Sequence, residues 1–175
     1  MAGHARSGLL VPGLVALALV ASCGPGSSAS PHTDWLTYHS DKWGYSIAYP
    51  SSWHILPNQG APDTELYVGN ESNIGAPLEM DKTAVLFEVS AQSGSCQATP
   101  ADKVDSTAQL TVDGKAVKRE SGFFGGSASE AFWGSQAAVP AGTGCFGFSV
   151  IFGSKSARDA NLGTTDRMIA SFKTS

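Results

Sequence analysis

The chain has 175 residues, of which 11 are Lys or Arg and 15 are Asp or Glu, a formal net charge of −4 with the histidines neutral. That mild acidity, without a basic stripe interleaved with aromatics, excludes a nucleic-acid partner, and the length suits one domain with a proper core. Only three cysteines are present, so each one has to be accounted for.

The chain opens with His4 and Arg6 and no acid, then runs through an aliphatic stretch from Leu9 to Val20 broken only by Pro12 and Gly13. This is the layout of a secretory signal, and it is too short to span a bilayer, which takes roughly 20 apolar residues. The stretch ends in Val20-Ala21-Ser22-Cys23, which resembles the lipobox of bacterial lipoproteins. The resemblance implies that residues 1–22 are a cleaved lipoprotein signal peptide and that Cys23, as the new N-terminus, is the lipidation site and membrane anchor. The competing reading is a plain secretory signal with a chance cysteine. Residues 23–34 are rich in Gly, Ser and Pro, the composition of a flexible lipidated tether, and the folded domain is expected over 35–175.

Within that domain most segments alternate as strands do. Tyr45, Ile47 and Tyr49 share one face of a run that Pro50 stops. Residues 61–82 follow, collecting Asp63, Glu65, Glu71, Glu79 and Asp81 among turn residues. A calcium loop needs tightly ordered oxygens, which this spacing lacks, so the segment reads as a solvated acidic loop. Val85, Phe87 and Val89 then alternate on a strand. After Cys96, Thr99 as N-cap, Pro100 at the first helical position and Asp102 in the first turn predict a short helix. Asp113-Gly114 sits between two alternating runs, a strong hairpin signal. The segment from Glu130 to Val139 and the run Phe146, Phe148, Val150 and Phe152 extend an antiparallel meander. Thr165, Met168, Ile169 and Phe172, at i, i+3, i+4 and i+7, predict a closing helix packed on a sheet.

With Cys23 assigned to lipid, Cys96 and Cys145 remain as the pair available for a disulfide in an exported, oxidising setting. A metal site or a catalytic thiol is the rival reading, and neither cysteine sits in a close Cys-x-x-Cys or Cys/His cluster. Gly142 to Gly147, "GTGCFG", matches Gly-x-Gly-x-x-Gly formally, but a strand pattern follows it where a dinucleotide site needs a helix N-terminus. No Gly-x-Ser-x-Gly or His-Glu-x-x-His occurs. His39 and His54 lie beside strand ends with no carboxylate or cysteine at ligand spacing. No catalytic residue, metal ligand or cofactor is therefore assigned.

The aromatics offer a binding lead. Trp35, Trp43, Trp53 and Trp133 accompany Phe123, Phe124 and Phe132, and the glycine-flanked runs "GFFGG" and "AFWGS" make Phe123, Phe124, Phe132 and Trp133 a candidate binding patch for a lipid, glycan or protein. The alternative is that they fill the core and its edges.

The stretch "KWGYSIAYPSSW", residues 42 to 53, together with "VDGKAV" and the closing "IASFK", resembles the PsbP-like, or Mog1/PsbP-fold, domains found among bacterial lipoproteins. The likeness is strongest over residues 35 to 55 and 144 to 173. It implies an α+β fold, an antiparallel β-sheet flanked by helices in an α/β/α sandwich, and a family of binding or assembly modules without a shared catalytic set. The expectation is thus a non-enzymatic, extracytoplasmic lipoprotein held at the bacterial cell membrane by its N-terminal lipid. An envelope protein, lipid or glycan is its expected partner. An envelope hydrolase with unrecognised catalytic groups and a purely structural surface lipoprotein are the alternatives.

Overall fold

The computed structural model describes residues 34–57, 64–74, 79–93, 95–125 and 131–175. The expected signal peptide, Cys23 and the tether as far as Thr33 lie outside the described residues, as do residues 61–63 and 75–78 of the acidic segment.

The first two strands, β1 (Trp35–Ser40) and β2 (Tyr45–Pro50), form a hairpin. A two-residue strand at the end of the chain, β10 (Lys173–Thr174), adds to the other edge of β2 and completes a three-stranded sheet. A larger sheet is built from β3 (His54–Leu56), β4 (Thr64–Gly69), β5 (Val85–Ser93), β6 (Lys103–Val112), β7 (Lys115–Phe124), β8 (Phe132–Ala141) and β9 (Gly144–Phe152), in the order β3-β4-β5-β9-β8-β7-β6. Every pairing in both sheets is antiparallel. The single helix among the described residues, α1 (Lys155–Ser171), follows β9 and leads directly into β10.

Alternation decides which face of the large sheet is buried. Val85, Phe87 and Val89 on β5 line up across the register with Phe148, Val150 and Phe152 on β9, and all six are essentially solvent-free. Tyr45, Ile47 and Tyr49 of the small sheet close over this face on one side, and Met168, Ile169 and Phe172 of the helix region on the other. Phe172 sits at the junction, its ring 5.2 Å from Tyr45, 5.0 Å from Phe146 and 5.1 Å from Phe148. The stripe expected at Thr165, Met168, Ile169 and Phe172 is buried throughout. The helix starts nearly three turns earlier than that stripe, at Lys155. Ser154 caps it, its Oγ accepting from the Ala157 amide at 3.0 Å and donating to the Lys82 carbonyl at 2.6 Å.

Two buried arginines tie the helix to the far edge of the sheet. Arg119 on β7 donates through Nε and Nη2 to both carboxylate oxygens of Asp166, at 2.9 and 2.8 Å, and through Nη1 to Ser106 Oγ at 3.0 Å. Arg158 on the helix donates to Asp105 of β6 and to Asp159, each at 2.8 Å, while its guanidinium lies 4.9 Å from the Trp133 ring centroid. Planar, always-charged guanidinium groups suit such sites because they bond two partners while stacking on an aromatic.

The expected helix after Cys96 is replaced. Residues 96–102 run without regular structure, and residues from Lys103 onward join β6. The Asp113-Gly114 turn, with φ of 49° and 74°, fixes a tight hairpin whose pairing propagates upstream as far as Lys103 and Phe123. Ladder hydrogen bonds to β7 outcompete an isolated helical nucleus of few residues. Asp102 serves β7 instead of a helix dipole: its Oδ2 accepts from the Gly125 amide at 2.7 Å. The acidic segment is likewise not wholly a loop, since Thr64–Gly69 forms β4 between β3 and β5.

Cys96 and Cys145 are brought together, their Sγ atoms 2.06 Å and their Cα atoms 5.1 Å apart, a pair placed for a disulfide. Because β9, β8 and β7 separate β5 from β6, the connection between the latter two has to cross a face of the sheet. The helix occupies one face. The connection takes the other, passing Pro140, Ala138, Lys118 and Glu120.

Candidate functional site

The four residues of the aromatic patch do not share a surface. Phe123 pairs with Trp133 across β7 and β8, and Phe124 pairs with Phe132. Neighbouring strand residues project to opposite faces, so the two pairs are separated by the sheet itself. Phe123 and Trp133 meet edge to face at 5.5 Å on the helix side, where Arg158 covers the indole. Phe124 and Phe132 stack at 5.6 Å on the opposite side, and Phe124 is only 3% exposed. Phe132 packs there against a small cluster of Leu56, Tyr67, Ile74, Leu86 and Ile151. Packing accounts for all four.

Another tryptophan is presented to solvent. Trp43, 42% exposed, lies in the β1–β2 turn and walls two adjoining depressions of about 440 and 690 Å³. These open where the β1–β2 turn, the end of β5 and the Gly142-Thr143 turn between β8 and β9 meet. Gln92, Thr143, Gly144 and Ala91 line both. The Trp43 indole is held in place, because its Nε1 donates to Glu65 Oε2 at 2.6 Å and Lys42 Nζ stands 4.9 Å from its ring centroid. Glu65 also accepts from Ser40 Oγ at 3.2 Å and pairs with Lys42 at 3.5 Å. It occupies the irregularity in the β4–β5 register between Thr64 and Leu66, which turns it out of the alternation and toward the turn. The arrangement offers an oriented aromatic face beside amide and hydroxyl groups. Its acid and base, Glu65 and Lys42, are engaged with each other and with the indole.

The face opposite the helix carries a polar row: Tyr67, Glu88, Ser149, Gln136 and Glu120 lie side by side across five strands. Burial pushes the Glu88 carboxyl up to about 7. On the helix side, burial and the nearby Glu65 carboxylate raise the Tyr38 phenol above its ordinary value.

His39 and His54 are both exposed, on β1 and β3. Among the described residues no three His, Cys, Asp or Glu side chains converge as a metal site would require. "GTGCFG" forms the β8–β9 turn and the start of β9, with no helix N-terminus after it.

Sequence reasoning counted Trp43 among the aromatics without singling it out and left Glu65 in the acidic loop. Their partnership depends on a turn and a strand irregularity 22 residues apart. The one local signal was the turn itself: Lys42-Trp43-Gly44 puts a large aromatic next to a residue with φ of 60°, where the chain reverses and side chains face solvent.

Two antiparallel sheets and, among the described residues, one closing helix, with a solvent-facing groove at the strand ends, define an α+β sandwich. That architecture is the PsbP-like fold. The solution structure of the cyanobacterial PsbP protein CyanoP from Synechocystis matches with a TM-score of 0.51 at 12% identity, over 87% of this chain and 99% of that one. A crystal structure from Bacteroides thetaiotaomicron matches with a TM-score of 0.52 at 14% identity, over 79% of this chain and 48% of that one, so the likeness takes in about half of that protein. LpqN of Mycobacterium tuberculosis, involved in cell envelope biogenesis, overlaps 82% of this chain and 92% of its own at 12% identity; its TM-score of 0.47 adds no weight. At these identities the likeness is one of fold alone. The sequence matches no protein-family model and no curated protein.

Proposed function

We propose that this protein is a non-enzymatic binding module of the bacterial cell envelope, held at the membrane by lipid on Cys23 and engaging its partner at the Trp43 groove. The observation that carries the binding site is Trp43, a large indole left exposed at the mouth of a groove and locked there by Glu65. An exposed aromatic costs solvation, and fixing its orientation removes entropy that a ligand would otherwise have to overcome. Such residues are the usual anchors of an interface. The lipobox at Val20 to Cys23 supports the membrane location, and the PsbP-like fold agrees with a scaffold that presents surfaces.

A photo-crosslinking residue placed at Thr143, in the groove, tests the site in intact cells against the same residue at Lys155, on the helix. A defined adduct is expected from Thr143 and absent from Lys155, and Trp43→Ala should reduce its yield about tenfold or more, since such anchors commonly contribute 2 kcal/mol or more. Equal adducts from both positions, or a yield indifferent to Trp43→Ala, would remove the groove as the binding site.

A further inference from the structure

Leu36 and Ile55 are among the few large apolar side chains left open to solvent, at 48% and 49% exposure. Both belong to the end of the domain where the described chain begins. The Ser51 amide donates to the Asp34 carbonyl at 2.8 Å, and Trp35 pairs with Pro50, so Asp34 to Leu36 lie beside Pro50 and the short turn that leads into β3. Leu36 and Ile55 also sit on edge strands, β1 of the small sheet and β3 of the large one. Their register partners Tyr49 and Val68 are core residues, so both project from the core-facing side at an open rim of the sandwich.

The same end carries a groove of about 420 Å³ lined by Trp35, Pro50, Ser52, Trp53, Thr164 and Arg167, with no acidic residue in its lining. The Arg167 guanidinium lies 4.1 Å from the centroid of the Trp35 ring and is itself exposed. The Trp35 indole N–H is buried without an acceptor among the described residues. Apolar tips beside an exposed arginine favour a lipid–water interface: aliphatic groups enter the acyl boundary, while the guanidinium sits at the level of the phosphates.

Chain length supplies the reason for naming a membrane as the occupant. Eleven positions separate Cys23 from Asp34. At about 3.5 Å per residue that segment reaches at most about 38 Å, whatever its conformation. A domain of this size is about as wide as that, with a radius of gyration of roughly 14 Å. An acyl group on Cys23 therefore holds the end at Asp34 within about 38 Å of the bilayer, and a weak surface there becomes effective because the tether makes docking intramolecular. We propose that this end, with Leu36, Ile55 and Arg167, docks on the phospholipid surface and leaves the Trp43 groove, in the opposite turn of the β1–β2 hairpin, facing away from it. The proposal rests on the lipid-anchor reading.

The test uses the full acylated protein in vesicles of phosphatidylethanolamine and phosphatidylglycerol, followed by hydrogen exchange and intact mass. Amides of residues 34–37 and 52–56 should exchange at least about fivefold more slowly in vesicles than in the Cys23→Ala protein free in solution, while β6 is unchanged. Leu36→Ser combined with Ile55→Ser should abolish the difference with acylation intact, and Arg167→Gln should reduce it. Acylated protein without protection at these residues would overturn the docking surface and leave the anchor standing. Absence of acyl mass on Cys23 would overturn the anchor, and the docking with it. Equal protection without vesicles, accompanied by a dimer mass, would show that a second copy covers this end and would also overturn the proposal.

Discussion

Glu88 is an acid in an unfavourable place. Its neighbours across β4 and β9 are Tyr67 and Ser149, and burial raises its carboxyl to about 7 from an ordinary value of 4.5. Between those values the folded state holds a proton that the unfolded state has released, so folding is favoured at low pH. The stabilising contribution is fully present below about 4.5 and is lost as pH rises through about 7. Glu88→Gln should therefore leave stability unchanged at pH 4 and raise it at pH 8, by no more than about 3.5 kcal/mol at the usual 1.4 kcal/mol per unit. Chemical denaturation at both pH values checks this; an equal effect at both would show that the carboxyl is not the cause. Arg119 presents the opposite case, a buried cation fully supplied with partners. Arg119→Lys keeps the charge but cannot bond Asp166 through two nitrogens, and a loss of about 2 kcal/mol is expected in the same measurement. Both side chains were invisible as special in the sequence, because a charged residue on a strand reads as solvent-facing until the neighbouring strands are known.

At the level of elements, the β6–β7 hairpin shows how a short signal governs a longer stretch. Asp113-Gly114 was legible because two consecutive positive φ values suit Asp and Gly, and it sets the register of ten-residue strands on either side. A methyl group on Gly114 would meet nothing within 4 Å. Gly114→Ala should thus cost about 1 kcal/mol, through backbone conformation alone, and lower the melting temperature by a few degrees. The helix predicted after Cys96 failed because cap residues state a preference worth about 1 kcal/mol, whereas ten residues of ladder pairing commit far more. The same crossover is where the cysteines matter. A bridge between residues 49 apart, fastening the chain to β9, is worth roughly 4 kcal/mol in the chain-entropy account. Non-reducing peptide mapping should recover the Cys96–Cys145 linkage, and reduction should lower the melting temperature by several degrees. Two freely alkylatable thiols in protein taken from the envelope would contradict it.

For the molecule as a whole, the proposed anchor and the proposed non-enzymatic role are separate questions. Cys23→Ala should move the protein from the membrane to the soluble fraction and end labelling by a clickable fatty acid, as expected when the acyl groups supply the attachment. His39 and His54 stand exposed on different sheets. Alanine at both positions should leave cellular function intact, whereas Trp43→Ala should impair it. A phenotype confined to the histidine variant would favour an enzyme over a binding module.

Periodicity and turn chemistry determined most of the scaffold in advance. The alternating runs at 45–50, 83–92 and 145–152, the Asp-Gly hairpin and the final amphipathic stripe are local patterns, each set by the period of its own backbone, and the structure places them as strands, turn and helix. The antiparallel α+β class followed from them, and from the resemblance at the two ends of the domain. What only the tertiary structure decided is which side chains share a surface. Phe123 and Phe124 are adjacent in sequence and lie on opposite sides of the sheet, whereas Trp43 and Glu65 are 22 residues apart and bonded. Patches and grooves are formed by register, by strand order and by a single irregularity in β4, all of which depend on pairing between distant segments. A side chain's own sequence neighbourhood carries no record of that pairing.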